Sequence, residues 1–257
     1  MAKIHRPELI TRKPYETFDF FGNRLTLIEL AEPHAVLTMK LSARISVEPP
    51  PPIDPDRTPA WEAIRTAAFG SDDLGPDSPV HYLYPSRNVS LDPEIRDYAR
   101  ESFAPGRPVL AAAIDLMNRI RRDFTYEIGA TSVTTTPSMS FALRRGVCQD
   151  FAHIMISGLR GLGVPAAYVS GYLRTAPRAG AKRLEGADAM HAWVMVWCGK
   201  PGWRGLDPTN ALVVADDHIA LTTGRDYADV APIDGVVVSF GGQKLKVAVD
   251  VVPVVVA

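Results

Sequence analysis

The chain has 257 residues, room for one large domain or one domain with a smaller partner. Hydrophobic residues make up 46%, charged residues 22%, and the formal net charge is −1, so neither a disordered chain nor a basic nucleic-acid-binding surface is expected. No stretch approaches about 20 uninterrupted apolar residues, so no membrane partner is expected, and two cysteines, Cys148 and Cys198, leave no disulfide framework. The opening MAKIHRPELITRKPYETF has no apolar h-region and is not read as a secretory signal, which makes a reducing cytoplasm the expected compartment.

Up to about Val47 the pattern alternates and is β-rich, with turns expected at Gly22-Asn23 and Glu32-Pro33-His34. The run Pro49 to Pro52 cannot continue a central strand and is expected to form an extended connector. Further on, Asp92 before Pro93 predicts a helix start. VLAAAIDLMNRIRRDFTYE spaces Leu110, Ile114, Met117 and Ile120 as an amphipathic helix. A Ser/Thr-rich loop follows, then a short helix expected to close at Gly146, then an apolar helix running from Cys148 to about Leu162. After it come the strand-like segments AAYVSGYL, HAWVMVWC, WRGLD, GVVVSF and LKVAVDVV. Helices first and strands afterwards indicate an α+β fold. The expected division is a β-rich N-terminal part over 1–90, a core over 91–235, and C-terminal strands over 236–257.

Cys148 follows a glycine at the first turn of its helix, where the helix dipole and free backbone N–H groups favour a thiolate and can hold an oxyanion. His191 shares a strand face with Trp193 and Met195, which suits a cleft wall. A hairpin through Cys198 to Gly202 would return Asp207 beside His191, where its carboxylate could orient the imidazole; the competing reading of Asp207 is a strand-ending Asx turn before Pro208.

The segments GVCQDFAH, LGVPAAYVSGYL, HAW and GWRGLDPTN resemble the bacterial transglutaminase-like superfamily, often labelled cysteine proteases. FDFFGN and the strands after it resemble the N-terminal β domain of that family, and HIALTTGRDYADVAPIDGV resembles the segment after its aspartate. The resemblance implies a papain/transglutaminase-like core with an N-terminal β domain, in which Cys148 is the nucleophile, His191 the general base and acid, and Asp207 the orienting carboxylate. Two departures stand out. The family's β domain begins with further strands, so the edge left here calls for cover by the C-terminal strands or by a second copy in a homodimer. The tryptophan that eukaryotic transglutaminases place near the oxyanion has no counterpart between Trp61 and Trp193. Tyr126 and Gln149 are the candidates for that second donor, while Tyr172, Trp193 and the polar loop from Ala176 to Ala189 are candidates for the cleft wall.

A metal is not expected: Cys148 and His153 lie five apart on one helix, about 500° of rotation, and point to different faces. His153 reads as a packed helix residue, Asp150 as a capping carboxylate, and Arg225 with Asp226 as a structural pair in a loop. No nucleotide-binding glycine motif occurs, so no cofactor is expected. The expected activity is hydrolysis of a peptide or amide through an acyl-enzyme. Amine acyl transfer by the same three residues and a non-catalytic peptide-binding or assembly module are the alternatives.

Overall fold

The computed structural model describes residues 2–5, 13–48, 51–177, 179–185, 187, 189–242 and 244–254. The chain divides into two compact units, Met1–Glu48 and Pro49–Ala257. This division falls well before the boundary expected at residue 90. The reason is packing: Trp61, Ile64 and Val89 belong to the same buried core as the helices and sheet that follow.

In the first unit, β1 (Ala2–His5) pairs antiparallel with β4 (Thr38–Leu41), and β2 (Tyr15–Phe18) forms a hairpin with β3 (Arg24–Leu27). The expected turn at Gly22-Asn23 is present: Gly22 has φ +80°, and Asp19 accepts from both the backbone and the side-chain N–H groups of Asn23. Of the proline run, Pro49 and Pro50 lie outside the described residues.

The second unit holds α1 (Trp61–Phe69), α2 (Pro93–Arg100), α3 (Val109–Asp123), β5 (Thr125–Tyr126), α4 (Pro137–Leu143), β6 (Arg145–Gly146) and α5 (Cys148–Gly161). Then follow β7 (Ala166–Leu173), β8 (His191–Trp197), β9 (Trp203–Asp207), β10 (Leu212–Val213), β11 (His218–Gly224) and α6 (Tyr227–Val230). Asp92 caps α2 by accepting from the N–H groups of Glu94 and Ile95, as the Asp-Pro pair predicts. Helix α4 ends at Leu143, earlier than expected, because Arg144 takes the left-handed conformation (φ 54°) that terminates it. Gly146 serves a different purpose: a Cβ there would stand 2.6 Å from Asp150 Oδ2.

Helix α5 is the centre of this unit. Every residue from Gln149 to Arg160 is buried, as expected of a helix enclosed on all sides. Gly158 lets α2 approach, since a Cβ would stand 2.8 Å from that of Ala99. Tyr168, Ala192, Val194 and Val196 from the sheet join the same apolar core. That sheet has the order β10-β9-β8-β7-β11 with every neighbouring pair antiparallel. Helices packed on one antiparallel sheet make the unit α+β.

The C-terminal segments GVVVSF and LKVAVDVV are not strands; no strand is present in the described residues after Gly224. Valine content favours β structure only where a neighbouring strand supplies hydrogen bonds and a packed face. Here Val236, Val238 and Phe240 are almost fully exposed, while Val251 is bonded to Thr175 through its backbone.

Candidate active site

The thiol is placed by two short elements. Strand β5 runs parallel to β6, pairing Tyr126 with Gly146, two residues before Cys148. Asp150, in the first turn of α5, accepts from the Val147 N–H at 2.8 Å and from the Thr131 hydroxyl at 2.6 Å, tying the helix start to the Ser/Thr loop. Burial pushes the Asp150 carboxyl up, with these two bonds acting against it. Cys148 is partly exposed at the edge of the core, and Cys198, the other free thiol, is buried.

The imidazole and carboxylate come from the hairpin β8–β9, whose turn closes through Gly199 and Gly202 at φ +76° and +78°. His191 opens β8 and Asp207 ends β9. The His191 Nε2 and Asp207 Oδ2 atoms lie 2.8 Å apart, and neither side chain is exposed to solvent. Asp207 Oδ1 accepts from the backbone N–H groups of Thr209 and Asn210. The Asx turn and the histidine partner, rival readings of this residue from sequence, therefore coexist on separate oxygens.

Burial is the largest single effect on His191 and would lower its proton affinity. The negative charge and hydrogen bond of Asp207, together with the Cys148 thiol beside the ring, outweigh it and push the imidazole up to about 10. Burial likewise acts to raise Asp207, but the facing imidazoles hold its carboxyl far below the usual range. The site is thus built to keep a buried imidazolium–carboxylate pair charged next to a thiol.

Tyr126 is half-buried, its ring edge-on to Phe151. Burial first, then the negative charges of Cys148, Glu185 and Asp207, push its phenol up to about 12, so it keeps its proton as a donor beside the site. Gln149 donates from Nε2 to the Val133 carbonyl and fixes the Ser/Thr loop. Trp193 is buried beside two imidazoles, 6.1 Å from His191 and 5.3 Å from His218. Strand alternation puts Tyr172 on the opposite face of β7 from Gly171, the cross-strand partner of His191. His153 packs on Tyr168 and accepts from the Tyr227 N–H; burial drops it to about 4, so it stays neutral and away from the thiol chemistry. Arg225 pairs with Asp229, while Asp226 caps α6.

Two residues of the site were not singled out from sequence. His218, at the start of β11, places Nε2 3.1 Å from Asp207 Oδ2, and Asn210 donates to the same oxygen at 2.8 Å. The ligating atoms of His191, Asp207 and His218 lie within 4.8 Å of one another, a set of a kind that can also hold a divalent cation. Considering Cys148 only with His153 overlooks it. Beside Asn210 opens a cavity of about 560 Å³, lined by Arg121, Arg174, Lys182, Glu185 and Asp217 among others. Much of the expected polar loop borders it.

The sequence model of the transglutaminase-like superfamily matches residues 96–208, a span that contains Cys148, His191 and Asp207. An uncharacterized protein of Mycobacterium tuberculosis is 40% identical over 243 residues, covering 91% of this chain and 76% of its own length. A Pseudomonas aeruginosa protein named protein-glutamine gamma-glutamyltransferase is 31% identical over 147 residues, 54% of this chain and 22% of that protein. Among solved structures, one from Cytophaga hutchinsonii, named as a putative cysteine protease, superposes with a TM-score of 0.53 at 28% identity. That match covers 64% of this chain and 52% of the other, so the chain spans about half the length of that solved relative. A thiol at the start of a buried helix, an imidazole and carboxylate from the facing sheet, and relatives over most of its length place the chain in one family: it belongs to the transglutaminase-like superfamily.

Proposed function

We propose that the protein is a thiol hydrolase that cleaves a peptide or amide bond through Cys148, His191 and Asp207 by way of an acyl-enzyme. The observation that carries this reading is the buried His191–Asp207 pair at 2.8 Å beside a partly exposed thiol at a helix start. With Nε2 engaged by Asp207, Nδ1 is the nitrogen that exchanges a proton with Cys148. The sulfur attacks the carbonyl carbon, forming a C–S bond and an oxyanion. Collapse breaks the C–N bond as His191 passes its proton to the leaving amine. Water then attacks the thioester, gives a proton to His191 and releases the acid, with the thiol restored. The backbone N–H of Cys148 and the phenol of Tyr126 are the donors proposed for the oxyanion. The substrate proposed is a peptide or protein, and the cavity beside Asn210, whose amide bonds Asp207, is the place proposed for part of it. Two free thiols fit a reducing compartment, and we place the protein in the cytoplasm; among the described residues no helix is long and apolar enough to cross a membrane.

A second reading is amine acyl transfer, in which an acceptor amine replaces water. The likeness to the Pseudomonas aeruginosa gamma-glutamyltransferase favours it. A peptide library incubated with and without a fluorescent amine separates the two. Hydrolysis through a covalent adduct on Cys148, lost by about 10³-fold or more in Cys148→Ala, supports the first reading. Amine incorporation in excess of hydrolysis replaces it with the second. Cys198 is the internal control, since burial pushes its thiol up to about 12. If iodoacetamide labels Cys148 no faster than Cys198, both catalytic readings fail and a peptide-binding or assembly role remains.

A further inference from the structure

His218 is a second imidazole on the carboxylate that holds the first. Asp207 Oδ2 faces three donors: His191 Nε2 at 2.8 Å, Asn210 Nδ2 at 2.8 Å and His218 Nε2 at 3.1 Å. The position of His218 is set by several contacts. Strand β11 pairs with β7 so that His218 lies opposite Leu173. The flanking residues Arg174 and Asp217 form an ion pair at 2.6 Å, and the Trp193 indole stands edge-on to the His218 ring. An apolar side chain would fill this buried place without polar cost. Instead an imidazole occupies it with Nδ1 buried and unpartnered. Three N–H donors therefore converge on one carboxylate oxygen, and of the two imidazoles it is His191 that has the thiol beside it.

We propose that His218 is a positioning residue: through its Nε2–H it fixes the orientation of Asp207 Oδ2 and takes up part of its accepting capacity. His191 is thereby held in place yet able to release its proton. This rests on the reading of Cys148, His191 and Asp207 as a catalytic set. The groups facing His218 are His191 and Trp193 from β8, Asp207 from β9, and Leu173 from β7, with the Arg174–Asp217 pair at its flank. With His218 removed, the carboxylate serves His191 more fully, and the imidazolium keeps its proton to higher pH.

The test needs no substrate. The rate of Cys148 alkylation by iodoacetamide is followed against pH in the wild type, His218→Leu and His218→Gln, with thermal melting of each. Leucine removes the donor; glutamine retains an N–H donor of similar reach. In His218→Leu the alkaline breakpoint, where His191 loses its proton, is expected to rise by about one pH unit. In His218→Gln it is expected to return to the wild-type position. An unchanged or lowered breakpoint in the leucine variant overturns the proposal, and so does a shift that glutamine does not reverse, which is the mark of packing alone. A shift that disappears in EDTA also overturns it, because a cation on His191, Asp207 and His218 would then be its cause. His191→Ala separates the two levels: if it leaves the alkylation profile unchanged, the catalytic reading itself fails. If it alters the profile while His218→Leu does not, only the role of His218 is lost.

Discussion

Asp207 divides its two oxygens between a turn and an imidazole. Oδ1 closes the turn after β9 and Oδ2 receives His191, so the strand end and the imidazole are aligned by one rigid group. The charges involved also stabilise the fold over a defined pH range. His191 is raised above the ordinary 6.5, so its contribution is complete below that value and is lost as pH climbs through about 10. Asp207 is depressed, so its contribution is present above the ordinary 3.8 and is lost only in strong acid. Asp207→Asn removes the charge and leaves burial, the largest effect on the ring, opposed only by the Cys148 thiol. The alkaline breakpoint of Cys148 alkylation is then expected to fall from about 10 to the ordinary imidazole value or below. Turnover is expected to drop on the order of 10³-fold, because the amide also favours the wrong tautomer. A breakpoint still near 10 would show that another group holds the proton on His191. That Cys148, His191 and Asp207 come together was legible in sequence, because a helix start and a hairpin between two strands bring them to one place. His218 was not. In HIALTTG nothing local distinguishes it, and its partner becomes visible only when β11 is laid against β7.

At the scale of elements, the glycines show how closely the sheet is fitted around this site. Gly171 lies opposite His191, and a Cβ there would collide with the Ile219 carbonyl and stand 2.5 Å from Trp193 Cη2. The strand therefore has to be bare where the indole that packs beside the two imidazoles crosses it. Gly171→Ala is expected to destabilise the fold by about 2–3 kcal/mol, read as a lowered denaturant midpoint, and to slow Cys148 alkylation because Trp193 shifts against both histidines. A variant with wild-type stability and alkylation would mean that β11 can move away at little cost. Strands β7 and β8 and helix α5 were readable as apolar runs bounded by turn residues, because they are buried on nearly all sides. The end of α4 was misjudged because a left-handed arginine, which no propensity favours, stops it. The C-terminal segments misled for the opposite reason: their β propensity is strong, but no described strand lies beside them to use it.

At the scale of the whole molecule, the apolar core of the second unit is drawn from Trp61 to Val230. The first unit has the reverse character. Its hairpin places Tyr15 across from Leu27, with Leu25 on the same face, and all three are exposed, as are Met39 and Leu41 on β4. Two-stranded ribbons with an uncovered apolar face are marginal on their own, and such edges invite another strand. The expected arrangement is a homodimer in which the N-terminal strands of two copies cover each other, while residues 49–257 form an independent folding unit. Native mass spectrometry of the full chain and of a 49–257 truncation tests both parts at once. The full chain is expected as a dimer. The truncation is expected as a monomer that melts within a few degrees of the full chain and keeps rapid Cys148 alkylation, since His191, Asp207, Tyr126 and Asp150 all lie within it. A truncation that remains dimeric would move the contact to the second unit, where the exposed valines from Val236 to Val238 are the next candidates. A truncation that unfolds would show that the second unit's core does not suffice without the N-terminal strands.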